Sequence, residues 1–157
     1  MNPLVSINLV VHNRGPWLQR ALDSIRAQTY QSIEVNQLDV TSDNIGFWAG
    51  QEKLLQQSKG KYIVCVSDVT LDPDFVKNAV EAMERDKSIG ALQAKILQIS
   101  HQLSAISHKL IDTTGFQISR SRRITNRGHG EVNHDQYPAG EIFAVEGAVP
   151  VFRREAL

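Results

Sequence analysis

Three polar clusters carry the side chains in this sequence best suited to chemistry. His12-Asn13-Arg14 follows the apolar run Val5 to Val11, Asp39 lies near the end of the run that starts at Ile33, and Ser67-Asp68 follows Tyr62 to Val66. Together they supply an imidazole, a guanidinium and two carboxylates, groups that donate to anions, accept N–H protons and ligate hard cations. Such groups act jointly only if the fold gathers them. In an open α/β sheet, ligands bind outside the carboxyl ends of the strands, so three clusters at three strand ends should converge on one cleft.

The elements that would gather them are readable in the pattern. Val5 to Val11 is β-branched and apolar except at Ser6 and Asn8, which reads as a buried strand. Pro16 suits a first helical turn, and Leu18, Ala21, Leu22 and Ile25 form one apolar stripe. Ile33 to Val40 reads as a second strand, but Glu34, Asn36 and Gln37 place it at a sheet edge. A helix is expected from the Asn44 to Gly50 segment to about Ser58, stopped by Lys59-Gly60-Lys61 with glycine at the C-terminal position. Tyr62 to Val66 reads as the central strand. Asp72 is expected to cap, and Pro73 to open, a helix running to Arg85. Ile89 to Leu97 and Glu141 to Phe152 read as further strands. The polar stretch Ser100 to Arg127 reads as loop with a hairpin around Asp112 to Ser119. Alternating strands and helices imply an α/β, Rossmann-like, mainly parallel sheet flanked by helices, as one domain over residues 1–157.

Composition bounds the function. The 157 residues are 41% hydrophobic and 22% charged, ordinary for a globular chain, and 17 Lys plus Arg offset 17 Asp plus Glu. A zero formal charge gives no global field for nucleic acid or anionic membrane, so any polyanion binding needs a local patch. Cys65, the only cysteine, excludes an internal disulfide and a cysteine-built zinc site, and it reads as core rather than nucleophile. The opening Met1-Asn2-Pro3 lacks a signal-peptide pattern and no run reaches the ~18 apolar residues of a spanning helix, so a soluble, cytoplasmic domain is expected.

Taken in order, several segments resemble the family-two glycosyltransferases of GT-A fold, particularly their bacterial rhamnosyltransferase-like branch. VSINLVVHNRGPWLQRALDSIRAQTY is similar to that family's opening strand and helix, NIGFWAG to its Asn-x-Gly-Phe segment, and YIVCVSDVTLDPDF to its metal-binding strand. RGHGE and QYPAGEIFAVEGAVPVFRREAL are similar to the late part of its nucleotide-sugar domain. The resemblance implies inverting transfer of a sugar from a UDP- or dTDP-sugar to a saccharide or lipid-linked acceptor hydroxyl, in surface polysaccharide or cell-wall assembly. Nucleotide would be bound by the Val11 backbone, His12, Arg14, Asp39, Asn44 and Gly46, with Asp39 accepting a pyrimidine N3–H and Arg14 available to phosphate. Asp68 would hold a divalent Mg²⁺ or Mn²⁺ as the last acid of an Asp-x-Asp motif. Peripheral membrane contact is implied, and no nucleic acid.

The sequence departs from that family at four places. Val66 replaces the motif's first ligand, and His12 stands where a tyrosine is usual. Only Val40 to Asp43 separate the second strand from the Asn-x-Gly-Phe segment, where the family has a helix and a strand more. The segment that supplies the family's catalytic base would follow Leu157, and Glu131, Asp135 and Glu146 do not match it. No catalytic residue is therefore assigned, and the alternative is a noncatalytic remnant with weak nucleotide binding. Arg120, Arg122, Arg123 and Arg127 form a basic stretch read as solvated loop, or less readily as a phosphate or nucleic-acid contact. The pairs His101/His108 and His129/His134 lack a third metal ligand, and Gly128-x-Gly130 lacks the rest of a dinucleotide fingerprint.

Overall fold

A computed structural model describes residues 2–98 and 109–157, which fall into two compact units: Met1–Leu92 with Gly147–Leu157, and Gln93–Glu146. His101 and His108 lie outside the described residues.

The first unit is built on β1 (Val5–Val11), α1 (Pro16–Arg26), β2 (Ile33–Asp39), α2 (Phe47–Gln57), β3 (Tyr62–Val66), α3 (Phe75–Arg85) and β4 (Ala91–Leu92). A late strand, here β9 (Val151–Arg153), completes a five-stranded sheet in the order β2-β1-β3-β9-β4. β1 pairs parallel with β2 and β3, whereas β9 runs antiparallel to both its neighbours. The result is a mixed, mostly parallel sheet flanked by helices, with β2 at the edge as its polarity suggested.

That polarity has a second cause. Glu34 and Asn36 stand opposite Ser6 and Asn8 in the β1–β2 register, and all four meet in one hydrogen-bonded seam. Ser6 Oγ donates to Glu34 (2.5 Å), while Asn36 Nδ2 (3.1 Å) and Ser58 Oγ (2.9 Å) donate to Asn8 Oδ1. A fully buried strand therefore tolerates Ser6 and Asn8 because Ser6 Oγ and Asn8 Oδ1 find partners, while Asn8 Nδ2 has none among the described residues. Side chains alternate along β1, so Ser6, Asn8 and Val10 share the α2 face, where Val10 packs with Val40 and Leu54. The β1–β2 and β2–β3 crossovers run in opposite directions along the sheet, which puts α1 on the face opposite α2, and hydrogen bonds bring α3 to it. There Gln28 joins them, donating to the Asp72 carbonyl (2.7 Å) and accepting the Val76 N–H (3.0 Å).

Several local expectations are corrected. Gly60 is not a left-handed helix cap. Its β-carbon would lie 2.4 Å from the Ser6 backbone nitrogen, so glycine is required there by close approach to β1. Regular hydrogen bonding in α3 starts at Phe75, with the Asp72 carboxylate accepting the Asp74 N–H (3.0 Å) one turn earlier. Ile89 to Leu97 is not one strand but two, Ala91–Leu92 in the first unit and β5 (Ile96–Leu97) in the second, because each half finds its own ladder partner. Glu141 to Phe152 yields only Val151–Arg153. Pro150 falls opposite Cys65, accepts its N–H (3.1 Å) and has none to return, which ends the ladder.

The second unit pairs β5 with β6 (Ile111–Thr113) and forms a hairpin from β7 (Phe116–Ile118) and β8 (Ile124–Asn126). The hairpin starts four residues later than the Asp112 position read from sequence, because Gly115 (φ +103°) turns the chain between β6 and β7.

Candidate functional site

The parallel register aligns the three clusters. Val11 is paired with Asp39 at the ends of β1 and β2, and Leu9 with Val66 at the end of β3, two residues before Asp68. Asp39, Val11 and Asp68 thus lie at or just past the carboxyl ends of three adjacent strands. At about 4.8 Å per strand the axes of β2 and β3 are ~10 Å apart.

Each group has a defined environment. Asp39 is held on both oxygens: Oδ1 accepts the Thr41 backbone N–H (2.9 Å) and hydroxyl (2.7 Å), and Oδ2 accepts Arg14 Nε (3.0 Å) and Nη2 (2.5 Å). The Thr41 hydrogen bonds first, and then Arg14, hold its carboxyl down at about 2, so it is ionised throughout the neutral range. Arg14 itself stays 72% exposed and can leave Asp39 without unpacking anything. The exposed His12 ring stacks on Trp17, with centroids 6.2 Å apart. Asn44 Oδ1 accepts the Gly46 N–H (3.0 Å) and helps set the turn into α2. Gly46, at φ +86° and ψ 159°, occupies a region essentially closed to other residues.

Helices α1 and α2 both start at this edge. Neither has a side-chain cap or an acid in its first turn, so both present bare N–H groups and a positive dipole end. That arrangement suits an anion.

Asp68 is exposed and accepts a hydrogen bond from the Ser67 hydroxyl (2.8 Å). Val66, at the other motif position, is buried and cannot ligate. Among the described residues no three His, Cys, Asp or Glu side chains gather into a cation cage. One free carboxylate fits a cation that arrives on a diphosphate, the usual mode for Mg²⁺, rather than one held by the protein alone. Cys65 lies buried in β3, and burial pushes its thiol up to about 12, leaving it protonated and inert.

Two of the acids weighed from the sequence are held by neighbouring side chains. Glu131 accepts the Tyr137 hydroxyl (2.9 Å), and Asp135 is paired with Lys95 (2.5 Å). His129 Nδ1 lies 2.8 Å from the Asp112 carbonyl. The basic stretch divides: Arg127 turns back onto Thr114 (2.8 Å) and the Tyr137 ring, while Arg120, Arg122 and Arg123 stay exposed.

Sequence reasoning missed Thr41 and Trp48. Trp48 is 56% exposed, meets Phe47 edge-on at 5.0 Å, and lies 3.6 Å from where a Gly147 β-carbon would stand. Gly147 precedes Ala148, whose carbonyl accepts the Ser67 N–H (3.0 Å), so the indole flanks the strand end that carries Asp68. The available signal was the placement of both tryptophans, Trp17 and Trp48, just beyond strand-end segments.

No helix among the described residues is long and apolar enough to cross a membrane. No protein-family model and no curated protein matches the chain in sequence. In structure it is similar to mannosyltransferase PcManGT from Pyrobaculum calidifontis, solved in complex with GDP-Man and Mn²⁺. The TM-score is 0.62 at 14% identity, covering 99% of this chain and 46% of that one. The chain therefore spans about half the length of that enzyme, and with its mixed, mostly parallel sheet and flanking helices it has a glycosyltransferase-type α/β fold.

Proposed function

We propose that this chain binds a nucleoside diphosphate sugar at the carboxyl edge of β2, β1 and β3 and serves transfer of the sugar to an acceptor hydroxyl. The observation that carries this reading is the row Asp39–Val11–Asp68 with Arg14 and two uncapped helix N-termini beside it. The fold shared with an enzyme solved with GDP-Man and Mn²⁺ supports the same class of ligand.

In this reading Asp39 accepts an N–H from the base. Its Oδ2 is occupied by Arg14, so binding is an exchange: the base N–H takes that place and Arg14 swings to the diphosphate. An ionised carboxylate can accept the imino N–H of uracil, thymine or guanine, and the amino groups of adenine and cytosine offer it a different donor. UDP and dTDP are the donors the sequence resemblance favours. Asp68 would hold a Mg²⁺ or Mn²⁺ carried by the diphosphate, and that cation would stabilise the leaving group. In transfer the acceptor oxygen bonds to the anomeric carbon from the face opposite the diphosphate. The carbon–oxygen bond to phosphate breaks, and the hydroxyl proton passes to a base to which no residue is assigned.

A second reading, in which the chain binds nucleotide without turnover, is favoured by Val66 standing where the resemblance expects the motif's first ligand. Calorimetric titration with UDP, dTDP, GDP and ADP, with and without Mn²⁺, tests the first step. Binding of UDP, dTDP or GDP that weakens at least tenfold in Asp39→Asn is expected, and no binding of any of them would overturn the proposal. Release of UDP from a UDP-sugar in the presence of acceptor then separates the enzyme from the binding module.

A further inference from the structure

We infer that the β7–β8 hairpin of the second unit is a docking element for an anionic lipid surface. The hairpin has two unlike faces. Phe116 to Ile118 pairs with Ile124 to Asn126, which sets Ile118 directly opposite Ile124. These isoleucines are 46% and 53% exposed, a side-by-side apolar pair with about half its surface open. On the other face Gln117 donates to Thr125 (3.2 Å), a polar pair suited to water. An amphipathic element of this kind can lie flat in a bilayer interface with its apolar side down.

The tip supplies the matching charge. Arg120, Arg122 and Arg123 are all exposed, and none forms an ion pair with an acid among the described residues. No acid occurs from Thr113 to Gly130, although the whole chain is formally neutral. Arg127 does not belong to the patch, being folded back on Thr114 and Tyr137. Arg120 and Arg122 lie in the tip, and Arg123 starts on the Gln117–Thr125 side, but long arginine stems can reach round an element only two strands wide so that their guanidinium groups meet phosphates beside the isoleucines.

The tip is also held in shape. Arg122 N–H donates to the Ser119 carbonyl (2.9 Å), Ser119 N–H to the Arg123 carbonyl (2.9 Å), and Arg123 N–H to Ser119 Oγ (3.1 Å). This is a three-residue loop with a left-handed third residue, a position that favours glycine or asparagine. Arg122 occupies it at φ +62°. A bulky side chain kept at a strained position is what a requirement for charge there would produce.

A nucleic acid would satisfy the arginines but leaves the isoleucine pair unexplained. Binding of single strands also uses aromatic platforms, and residues 117–127 contain no aromatic side chain. The combination of uncompensated charge and exposed aliphatic surface fits an anionic bilayer.

Vesicle co-sedimentation of the full chain tests this. Vesicles of phosphatidylcholine with about one-third phosphatidylglycerol should retain the protein, pure phosphatidylcholine vesicles should not, and retention should fall as salt rises. Arg120→Gln with Arg123→Gln should lower the partition coefficient about 25-fold, near fivefold per arginine. Ile118→Ser with Ile124→Ser should lower it about tenfold while leaving its salt dependence. Arg122→Gly is the internal control, since it should raise thermal stability by relieving strain while weakening vesicle binding about fivefold. Equal binding to neutral vesicles would overturn the proposal. So would unchanged anionic-vesicle binding in the isoleucine variant, or displacement from vesicles by a single-stranded oligonucleotide at equal phosphate concentration.

Discussion

Arg14 and Arg153 sit at opposite ends of the same parallel strands and show how differently those ends are built. Arg153, 6% exposed at the amino end, spends its guanidinium on the chain itself. It donates to the carbonyls of Met83 (2.7 Å), Ile89 (3.1 Å) and Asp86 (3.3 Å) and to the Tyr62 hydroxyl (3.2 Å), and it lies 5.4 Å over the Tyr62 ring. Its neighbour Arg154 does the same for the end of α2, donating to the carbonyls of Ser58 and Gly60, both at 2.7 Å. Adjacent residues on β9 and just beyond thus close the C-terminal ends of two helices, where carbonyls lack partners and cations are favoured. At the carboxyl end the helices present N-termini, Arg14 is 72% exposed, and its one partner is a carboxylate that an incoming N–H can claim. One end is satisfied internally and contributes stability. The other keeps its donors and acceptors accessible, the condition for binding.

Substitution of the two arginines should give the largest contrast. Arg153→Ala strands several buried carbonyls and is expected to cost about 3–5 kcal/mol in urea denaturation. Arg14→Ala should leave the denaturation midpoint within error and weaken UDP binding instead. A midpoint for Arg153→Ala as high as that of the unmodified chain would show that its buried hydrogen bonds add nothing to stability.

Gly46→Ala sharpens it by testing whether a binding-edge residue can also carry backbone cost. Nothing lies within 4 Å of the added β-carbon, so the expected loss of about 1–3 kcal/mol arises from the dihedral angles alone. Thermal melting reads it, and UDP affinity should fall in parallel as the start of α2 shifts.

Trp48 offers a smaller effect. Exposed and beside Gly147, it contributes little packing, so Trp48→Ala should change stability by less than about 1 kcal/mol. Quenching of its fluorescence by bound nucleotide sugar, absent with the nucleotide alone, would place the sugar on the indole.

The smallest effect is on pH dependence. Asp39 at the binding edge and Glu84 at the other are both held down at about 2, the first mainly by Thr41, the second by Lys61, Lys87 and Tyr62. Because the folded values lie below the ordinary carboxylate range, the stabilisation is complete above pH ~5 and is lost as pH falls toward 2. Melting temperatures between pH 5 and 2 should drop less steeply in Glu84→Gln than in the unmodified chain.

The six elements from Val5 to Arg85 were legible because each is written locally, as an apolar run, a helical stripe, a Pro16 or an Asp72-Pro73. The positions of Asp39 and Asp68 at strand ends were legible for the same reason, and alternation with short connections implied parallel order. Beyond Ile89 the local signal fails. Ala91–Leu92 and Val151–Arg153 are strands only because the chain returns to lay them beside β3, and Pro150 limits that pairing in a way no periodicity displays.

The amino-acid sequence alone thus determined the layered α/β order and which edge of the sheet carries the polar groups, since hydrophobic period and turn chemistry are properties of neighbours in the chain. Tertiary structure decided the partners: that Arg14 rests on Asp39 across 25 residues, that Arg153 is buried 91 residues from the hydroxyl it meets, and that Ile118 and Ile124 stay about half exposed. Those outcomes depend on which distant groups satisfy one another's hydrogen bonds and surface, a sum over the whole fold that a local pattern does not contain.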